Sequence, residues 1–115
     1  MSEIVELGCA GHFIGARNCH FRRHTQIGDK YRVSTVGDYY PPEAKTREPI
    51  GADDNAFFET MVFKTRPQLR GDNEGCGCHE VVSYSEIAGE RYATAWEAQA
   101  GHTRHVAQYA AKAKP

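Results

Sequence analysis

One stretch, residues 18–42 with the sequence NCHFRRHTQIGDKYRVSTVGDYYPP, constrains the fold of this chain more than any other. It contains two runs of alternating side chains on either side of Gly28-Asp29, a dipeptide that favours a turn because glycine tolerates positive φ. Alternation places one set of side chains on a common face, namely Phe21, Arg23, Thr25, Ile27, Tyr31, Val33 and Thr35. The sequence therefore predicts a long β-hairpin on which the rest of the chain packs.

The remaining segments predict further strands and one helix around this hairpin. They are a short strand and glycine-rich loop (1–17), a polar surface loop (43–56), strands with a Cys-Gly-Cys turn (57–84) and a helix (93–113). Apolar residues on both faces of the run 57–66 favour a central, covered strand. We therefore expect a single domain, residues 1–115, of the α+β class: a small antiparallel sheet built on the long hairpin, with one C-terminal helix packed on it.

The helix carries a clear start signal and one unusual glycine. Thr94 and Glu97 fit a capping box, in which the threonine hydroxyl accepts a first-turn amide proton. A glycine inside a helix, such as Gly101, lowers helix stability by about 1 kcal/mol relative to alanine. We therefore expect a packing reason for it, namely the close approach of another backbone. The predicted buried stripe contains Ala95, Gln99, His102, Val106, Tyr109 and Ala113, which turns His102 toward the sheet.

Charge and composition restrict the classes of partner. With 14 basic and 15 acidic residues the formal net charge is −1, so a polyanionic partner would need a local basic patch. No apolar run approaches the roughly 20 residues that span a bilayer, and the first residues lack the pattern of a secretion signal, so we expect a cytosolic protein without a membrane partner. In a reducing compartment, cysteines serve as thiols or metal ligands more often than as disulfides.

Cysteines and histidines in the last third of the chain predict a structural zinc site. Cys76 and Cys78 flank a glycine, and His102 and His105 are three residues apart on one side of the predicted helix. Four such donors would close a tetrahedral site and tie the helix to the sheet. His79 is an alternative to His105 as the fourth ligand. The competing interpretation is that both cysteines are free and that His102 is a hydrogen-bonded core residue.

Alternation also predicts a polar, basic face on the hairpin, opposite the apolar one. The candidate ligand-binding residues on or beside it are Arg22, His24, Arg32, Ser34 and Tyr39, with Gln26 and Tyr40 nearby. Arginine with aromatic rings can hold a phosphate and stack a base. A solvated sheet face without a ligand is the alternative. No catalytic motif was found, so we name no catalytic residue and expect a protein without enzymatic activity.

Four sequence blocks, occurring in this order, carry a resemblance to a known family. They are RVSTVGDYYP (32–41), FETMVF (58–63), CGC (76–78) and EAQAGH (97–102), and the chain is similar in them to a family of small, largely uncharacterised proteins encoded by tailed bacteriophages. In that family a cysteine tends to follow the helix histidine by four residues. Val106 occupies this place here, and His105 could substitute for that cysteine as a zinc ligand.

The resemblance implies a phage accessory protein expressed in the bacterial cytoplasm. Such proteins commonly bind and disable host factors, including defence systems. We therefore expect a non-catalytic binder of a host protein or of a nucleotide-like signal, with a counter-defence role. The alternatives are a zinc-stabilised nucleic-acid-binding protein and an enzyme with an unrecognised site. The oligomeric state is left open, although a small antiparallel sheet with an unprotected edge often pairs with itself to form a homo-oligomer.

Overall fold

The computed structural model describes residues 4–7, 19–41, 43, 45–49, 56–67, 80–82 and 86–113. They form six strands and one helix. The elements are β1 (Ile4–Leu7), β2 (Cys19–Ile27), β3 (Tyr31–Tyr39), β4 (Phe58–Arg66), β5 (Glu80–Val81), β6 (Ala88–Tyr92) and α1 (Ala95–Ala113). The glycine-rich loop expected within residues 8–17 and the Cys-Gly-Cys turn lie outside the described residues.

All the strand pairs are antiparallel and follow the order β1-β2-β3-β4-β5, with β6 also paired to β4. Strand β6 pairs with the first half of β4 and β5 with its last two residues, so the two short strands follow one another along β4. The helix α1 packs on one face of this sheet, against β2, β3, β4 and β6. The α+β prediction, with its antiparallel sheet and one C-terminal helix, is confirmed.

The predicted hairpin is formed by β2 and β3. Its register pairs Thr25 with Val33 and Ile27 with Tyr31, so these side chains share the face that the alternation predicts. Gly28 has a φ of 53°, a left-handed conformation that glycine adopts without the steric cost of a Cβ atom. The Gly28-Asp29 turn therefore forms where the sequence predicts it.

Thr65 of β4 ties the hairpin turn to the sheet. Its amide donates to the carbonyl of Lys30 at 2.7 Å, and its hydroxyl donates to the carbonyl of Asp29 at 2.9 Å. The side chain of Gln26 donates to the Thr65 hydroxyl at 2.8 Å. These bonds provide partners for the carbonyl groups of the turn and for the buried side chain of Gln26. They also hold the turn against β4.

Two clusters of buried apolar residues join the helix to the sheet. One contains Ile27, Val33, Val62, Tyr109 and Ala113, and the other contains Phe58, Tyr92 and Ala98. Burying a large apolar side chain stabilises a fold by about 1.5–3 kcal/mol, so these contacts hold α1 in place at both of its ends. The ring of Phe58 fills the space beside Gly37, where an added Cβ would also lie 2.8 Å from the carbonyl oxygen of Phe57.

The start of α1 agrees with the predicted capping box. The amide of Glu97 donates to the Thr94 hydroxyl at 3.2 Å, and that hydroxyl donates to the Glu97 carboxylate at 3.0 Å. The predicted buried stripe is only partly right, because Ala95 and Gln99 are exposed. The buried residues of α1 are Ala98, Gly101, His102, His105, Tyr109 and Ala113.

Gly101 admits a side chain rather than the backbone that we expected. The ring and hydroxyl of Tyr92 occupy the position that a Cβ at residue 101 would take. Tyr92 ends β6, a strand that the sequence analysis does not predict. Of the strands expected within residues 57–84, the described residues contain β4 and the short β5. No helix among the described residues is long and apolar enough to cross a membrane.

Candidate functional site

The structure places half of the predicted zinc ligands. Cys76, Cys78 and the alternative ligand His79 lie outside the described residues, whereas His102 and His105 are buried on the sheet-facing side of α1. Among the residues that the structure describes, no three His, Cys, Asp or Glu side chains are grouped as a metal site would require. The complete four-ligand site therefore stays a prediction.

The two histidines differ in how well they would suit a metal. The Nδ1 atom of His105 lies 2.7 Å from the carbonyl oxygen of Gly101, to which it donates. This bond leaves Nε2 with its lone pair, the arrangement usual in metal-binding histidines. His102 lies 2.8 Å from the Thr25 hydroxyl through Nε2 and 2.7 Å from the Thr35 hydroxyl through Nδ1. A metal on His102 would have to displace one of these hydroxyl groups.

His102 lies in the middle of a hydrogen-bonded chain whose direction can be assigned. The Thr25 hydroxyl donates to the Glu6 carboxylate at 2.7 Å, so it accepts a proton from Nε2 of His102. In a neutral imidazole the other nitrogen then accepts, and Thr35 is its donor. The Thr35 hydroxyl in turn accepts from Thr60, 2.6 Å away. Each hydroxyl therefore donates once, in the direction of Glu6.

The same chain continues to the opposite edge of the sheet. The Tyr92 hydroxyl donates to Thr60 at 3.0 Å and lies 3.1 Å from the Glu90 carboxylate. Arg104 of α1 also contacts that carboxylate, and its charge lowers the cost of placing Glu90 beside the sheet. The polar chain thus crosses the interface between helix and sheet from β1 to β6.

The surroundings of the chain keep its histidine neutral. Burial, followed by the nearby Arg23 guanidinium, lowers the pKa of His102 from 6.5 to about 4. Burial opposes ionisation of Glu6, but hydrogen bonds from Arg23 and Thr25 outweigh it and lower the pKa of that carboxyl group. A neutral imidazole between hydroxyl groups, with an ionised carboxylate at the end, is a stabilising arrangement in a core.

The register of β2 and β3 places the residues of the predicted polar face on one side of the hairpin. His24 pairs with Ser34 and Gln26 with Arg32, so these four residues lie on the side of the sheet opposite α1. Three of the predicted ligand-binding residues are nevertheless buried, since His24, Arg32 and Ser34 are 2%, 1% and 6% exposed. Burial, with the charges of Arg32 and Arg22, lowers the pKa of His24 to about 4. These side chains therefore belong to the interior and do not form an open binding face.

The accessible part of this face lies at the open end of the hairpin. Arg22 is exposed, and the exposed ring of His20 stacks on Tyr40 with the ring centroids 4.4 Å apart and the planes 13° apart. His20 and Arg22 are two residues apart on β2, so their side chains point to the same side with about 6.6 Å between the Cα atoms. Tyr39 pairs with Cys19, and it is Tyr40 that contacts His20.

Comparison of the chain with protein-family models, with curated proteins and with solved structures found no match.

The hydrogen-bond partners of His102 were not predicted from the sequence. Hydroxyl groups from β2, β3 and β4 meet on the helix-facing side because Thr25, Thr35 and Thr60 occupy alternating positions in three paired strands. Thr35 and Thr60 are direct Cα partners, which a correct alignment of 31–39 with 58–66 would have shown. The positions of the threonines in the sequence could therefore have predicted the hydrogen bonds of His102. Tyr92 could not have been predicted in this way, because β6 itself was not predicted.

Proposed function

We propose that the protein is a non-catalytic binding protein of the phage accessory class, which acts in the bacterial cytoplasm on a nucleotide-like signal or a host protein and so counteracts host defence. The observation that supports it is the exposed Arg22 beside the stacked rings of His20 and Tyr40. The phage setting and the counter-defence role rest on the sequence resemblance alone.

Arg22 and the ring stack suit a small anion that carries a flat ring. A guanidinium group presents several N–H donors in one plane, which match the oxygens of a phosphate group. An aromatic face accepts a base by stacking, worth about 1–3 kcal/mol per base. Of the two ligand classes, these groups favour the nucleotide-like molecule.

The buried polar groups support a binding role over catalysis. His102 uses both of its ring nitrogens within the core, and His24, next to Arg22 on the same face of β2, is 2% exposed. A general base has to reach a substrate proton directly or through one water molecule. In their present positions both histidines are buried, and His102 also ties α1 to the sheet that presents Arg22.

A thermal-shift screen with cyclic dinucleotides and ADP-ribose tests the proposal. A ligand at about 100 times its Kd stabilises the folded state by about 2.7 kcal/mol, which raises the Tm by several degrees. We expect one of these compounds to raise the Tm and to be recovered unchanged by mass spectrometry. Arg22→Gln should abolish the shift, because the phosphate loses its charged donor.

The matched control is Arg91→Gln. Arg91 is exposed on the same side of the sheet, but it is paired with Glu59 at 2.8 Å and lies three strands from Arg22. We expect it to keep the ligand-induced shift. Recovery of a chemically changed ligand would make the protein an enzyme, and the absence of any shift would remove the nucleotide-like ligand from the proposal.

A further inference from the structure

A second charged surface lies at the opposite end of the hairpin from Arg22. It comprises Lys30 in the turn, Lys64 and Arg66 at the end of β4, and Lys112 near the end of α1, and we call these four residues the basic end. All four side chains are exposed. The described acidic residues near them are Asp29 in the turn and Glu80, the Cα partner of Arg66, so four basic residues stand against two acidic ones.

The contacts between elements hold the basic end together. Tyr31 and Lys64 are Cα partners, and the Tyr31 ring packs edge-on against Tyr109 at 5.0 Å between the centroids. The ammonium group of Lys112 lies 5.3 Å from the centre of the Tyr109 ring. Lys64 and Lys112 therefore approach one pair of tyrosine rings from the sheet and from the helix.

A backbone hydrogen bond of Thr65 places Lys30 close to Lys64 and Arg66. Thr65 lies between Lys64 and Arg66, and its amide donates to the carbonyl of Lys30 at 2.7 Å. This backbone contact brings the three residues that carry these charges together at one end of the sheet, while their exposed side chains stay free to adjust to a ligand.

Lysines of the basic end differ from several arginines elsewhere in the described residues, because they are not paired with carboxylates. Four arginines form ion pairs with carboxylates, namely Arg23 with Glu6, Arg47 with Asp38, Arg91 with Glu59 and Arg104 with Glu90. Lys30 and Lys64 form no ion pair within the part of the chain that the structure describes. Their charges are therefore available to an external anion, although the net charge of the chain is −1.

We propose that the basic end binds the phosphate backbone of nucleic acid without sequence preference. Lysine binds phosphate as a mobile point charge, and the partly exposed Tyr31 ring between the lysines can contact a sugar or a base. A membrane surface fits less well, because the exposed apolar side chain beside Lys64 is the small Val82, whereas an interfacial anchor is usually a large or aromatic side chain. The exposed Trp96 lies 16 residues before Lys112 in α1, about 24 Å away along the helix axis.

Fluorescence anisotropy with a labelled 20-base-pair DNA duplex and a labelled single-stranded RNA at 50, 100 and 200 mM salt tests this proposal. Binding through three lysine–phosphate contacts should weaken about 40-fold for duplex DNA between 50 and 200 mM salt. The variant Lys30→Gln/Lys64→Gln should bind about tenfold or more weakly at 50 mM salt and lower the salt slope by about two.

The matched control is Lys45→Glu, which changes the net charge by the same two units at an exposed lysine of another loop. We expect it to retain the wild-type affinity and salt slope. An equal loss in both variants would show general charge attraction and overturn the proposal, as would the absence of binding at 50 mM salt. Lysine-dependent binding to vesicles containing phosphatidylserine, without binding to nucleic acid, would also overturn it.

The two binding surfaces can be tested apart. Arg22→Gln should leave nucleic-acid binding at the basic end unchanged, because Arg22 lies at the other end of β2 from the turn. Lys30→Gln/Lys64→Gln should likewise leave the ligand-induced thermal shift unchanged. The nucleotide-binding proposal and the nucleic-acid-binding proposal can therefore each fail without affecting the test of the other.

Discussion

Two buried histidines, His24 and His102, are kept neutral on opposite faces of the sheet. Burial is the main cause for both, and it lowers each pKa from 6.5 to about 4. In the unfolded chain the same groups take up a proton near pH 6.5. Between these two values the unfolded state binds more protons than the folded state, so stability falls as the pH decreases from 6.5 toward 4.

This linkage predicts a pH effect for one substitution. In the wild-type protein, the difference in unfolding free energy between pH 7 and pH 5 should include about 1–2 kcal/mol from His24. His24→Gln removes that contribution, so its unfolding free energy should change less over the same interval. Urea unfolding at both pH values measures the change, with His20→Gln at an exposed histidine as the control. An unaltered pH dependence in His24→Gln would contradict the neutral, buried state of His24.

The same residues show what the sequence could predict of the candidate site. Alternation and the Gly28-Asp29 turn correctly predict that His24, Arg32 and Ser34 share a face. Alternation cannot predict whether that face is covered, because burial depends on segments far away in the chain. Arg32, at 1% exposure, is thus expected to matter for stability, and our proposal assigns ligand binding to the exposed Arg22 instead.

At the scale of elements, the close contact between α1 and β6 depends on Gly101. An alanine here would gain about 1 kcal/mol of helix propensity. Its Cβ would, however, occupy the space of the Tyr92 hydroxyl and ring. Moving the ring would break the hydrogen bond from Tyr92 to Thr60 and loosen the cluster around Ala98. Overpacking of this kind costs about 1–3 kcal/mol, which outweighs the gain.

We therefore predict that Gly101→Ala lowers the free energy of unfolding, by up to about 2 kcal/mol. Chemical denaturation measures this change, and Ala107→Gly, at an exposed position of the same helix, is the control for helix propensity alone. In the background Tyr92→Phe, which removes the hydroxyl from the crowded space, Gly101→Ala should cost less. A stabilising effect of Gly101→Ala in the wild-type background would show that Tyr92 can move aside.

The elements themselves were largely predictable. The hairpin, the central strand and the capped helix have strong local signals: a turn glycine, long alternation and a capping box. Strand β6 has five residues, including Gly89, and only its last residue is buried. Such a strand forms because the edge of β4 offers it hydrogen bonds, which a local sequence pattern cannot show.

At the scale of the whole molecule, the predicted zinc site would connect α1 to the Cys-Gly-Cys segment by metal coordination, in addition to the hydrogen bonds between α1 and the sheet. His102→Ala cannot test it, because this change also breaks the bonds to Thr25 and Thr35 and would destabilise the fold without any metal. Cys78 and His105 offer a cleaner test. The Nε2 atom of His105 is available to a metal, since its hydrogen bond to Gly101 uses Nδ1.

We predict about one zinc ion per chain in freshly purified protein, with its loss in both Cys78→Ser and His105→Gln. Removing a structural zinc ligand should lower the Tm and make it insensitive to a chelator, because metal binding is coupled to folding. Elemental analysis by plasma mass spectrometry and melting curves with and without EDTA measure both effects. Cys19→Ser provides the control, since Cys19 is a buried thiol at the start of β2. Wild-type protein without zinc would refute the site.

The position of α1 after all the strands also matters during synthesis. Residues Ile27, Val33 and Val62 leave the ribosome before Tyr109 and Ala113, which cover them in the finished protein. Until the last turns of the helix emerge, the nascent sheet presents an uncovered apolar face to chaperones and to other nascent chains. The core of this domain can therefore close only once α1 has been synthesised, when its 19 residues cover the exposed sheet.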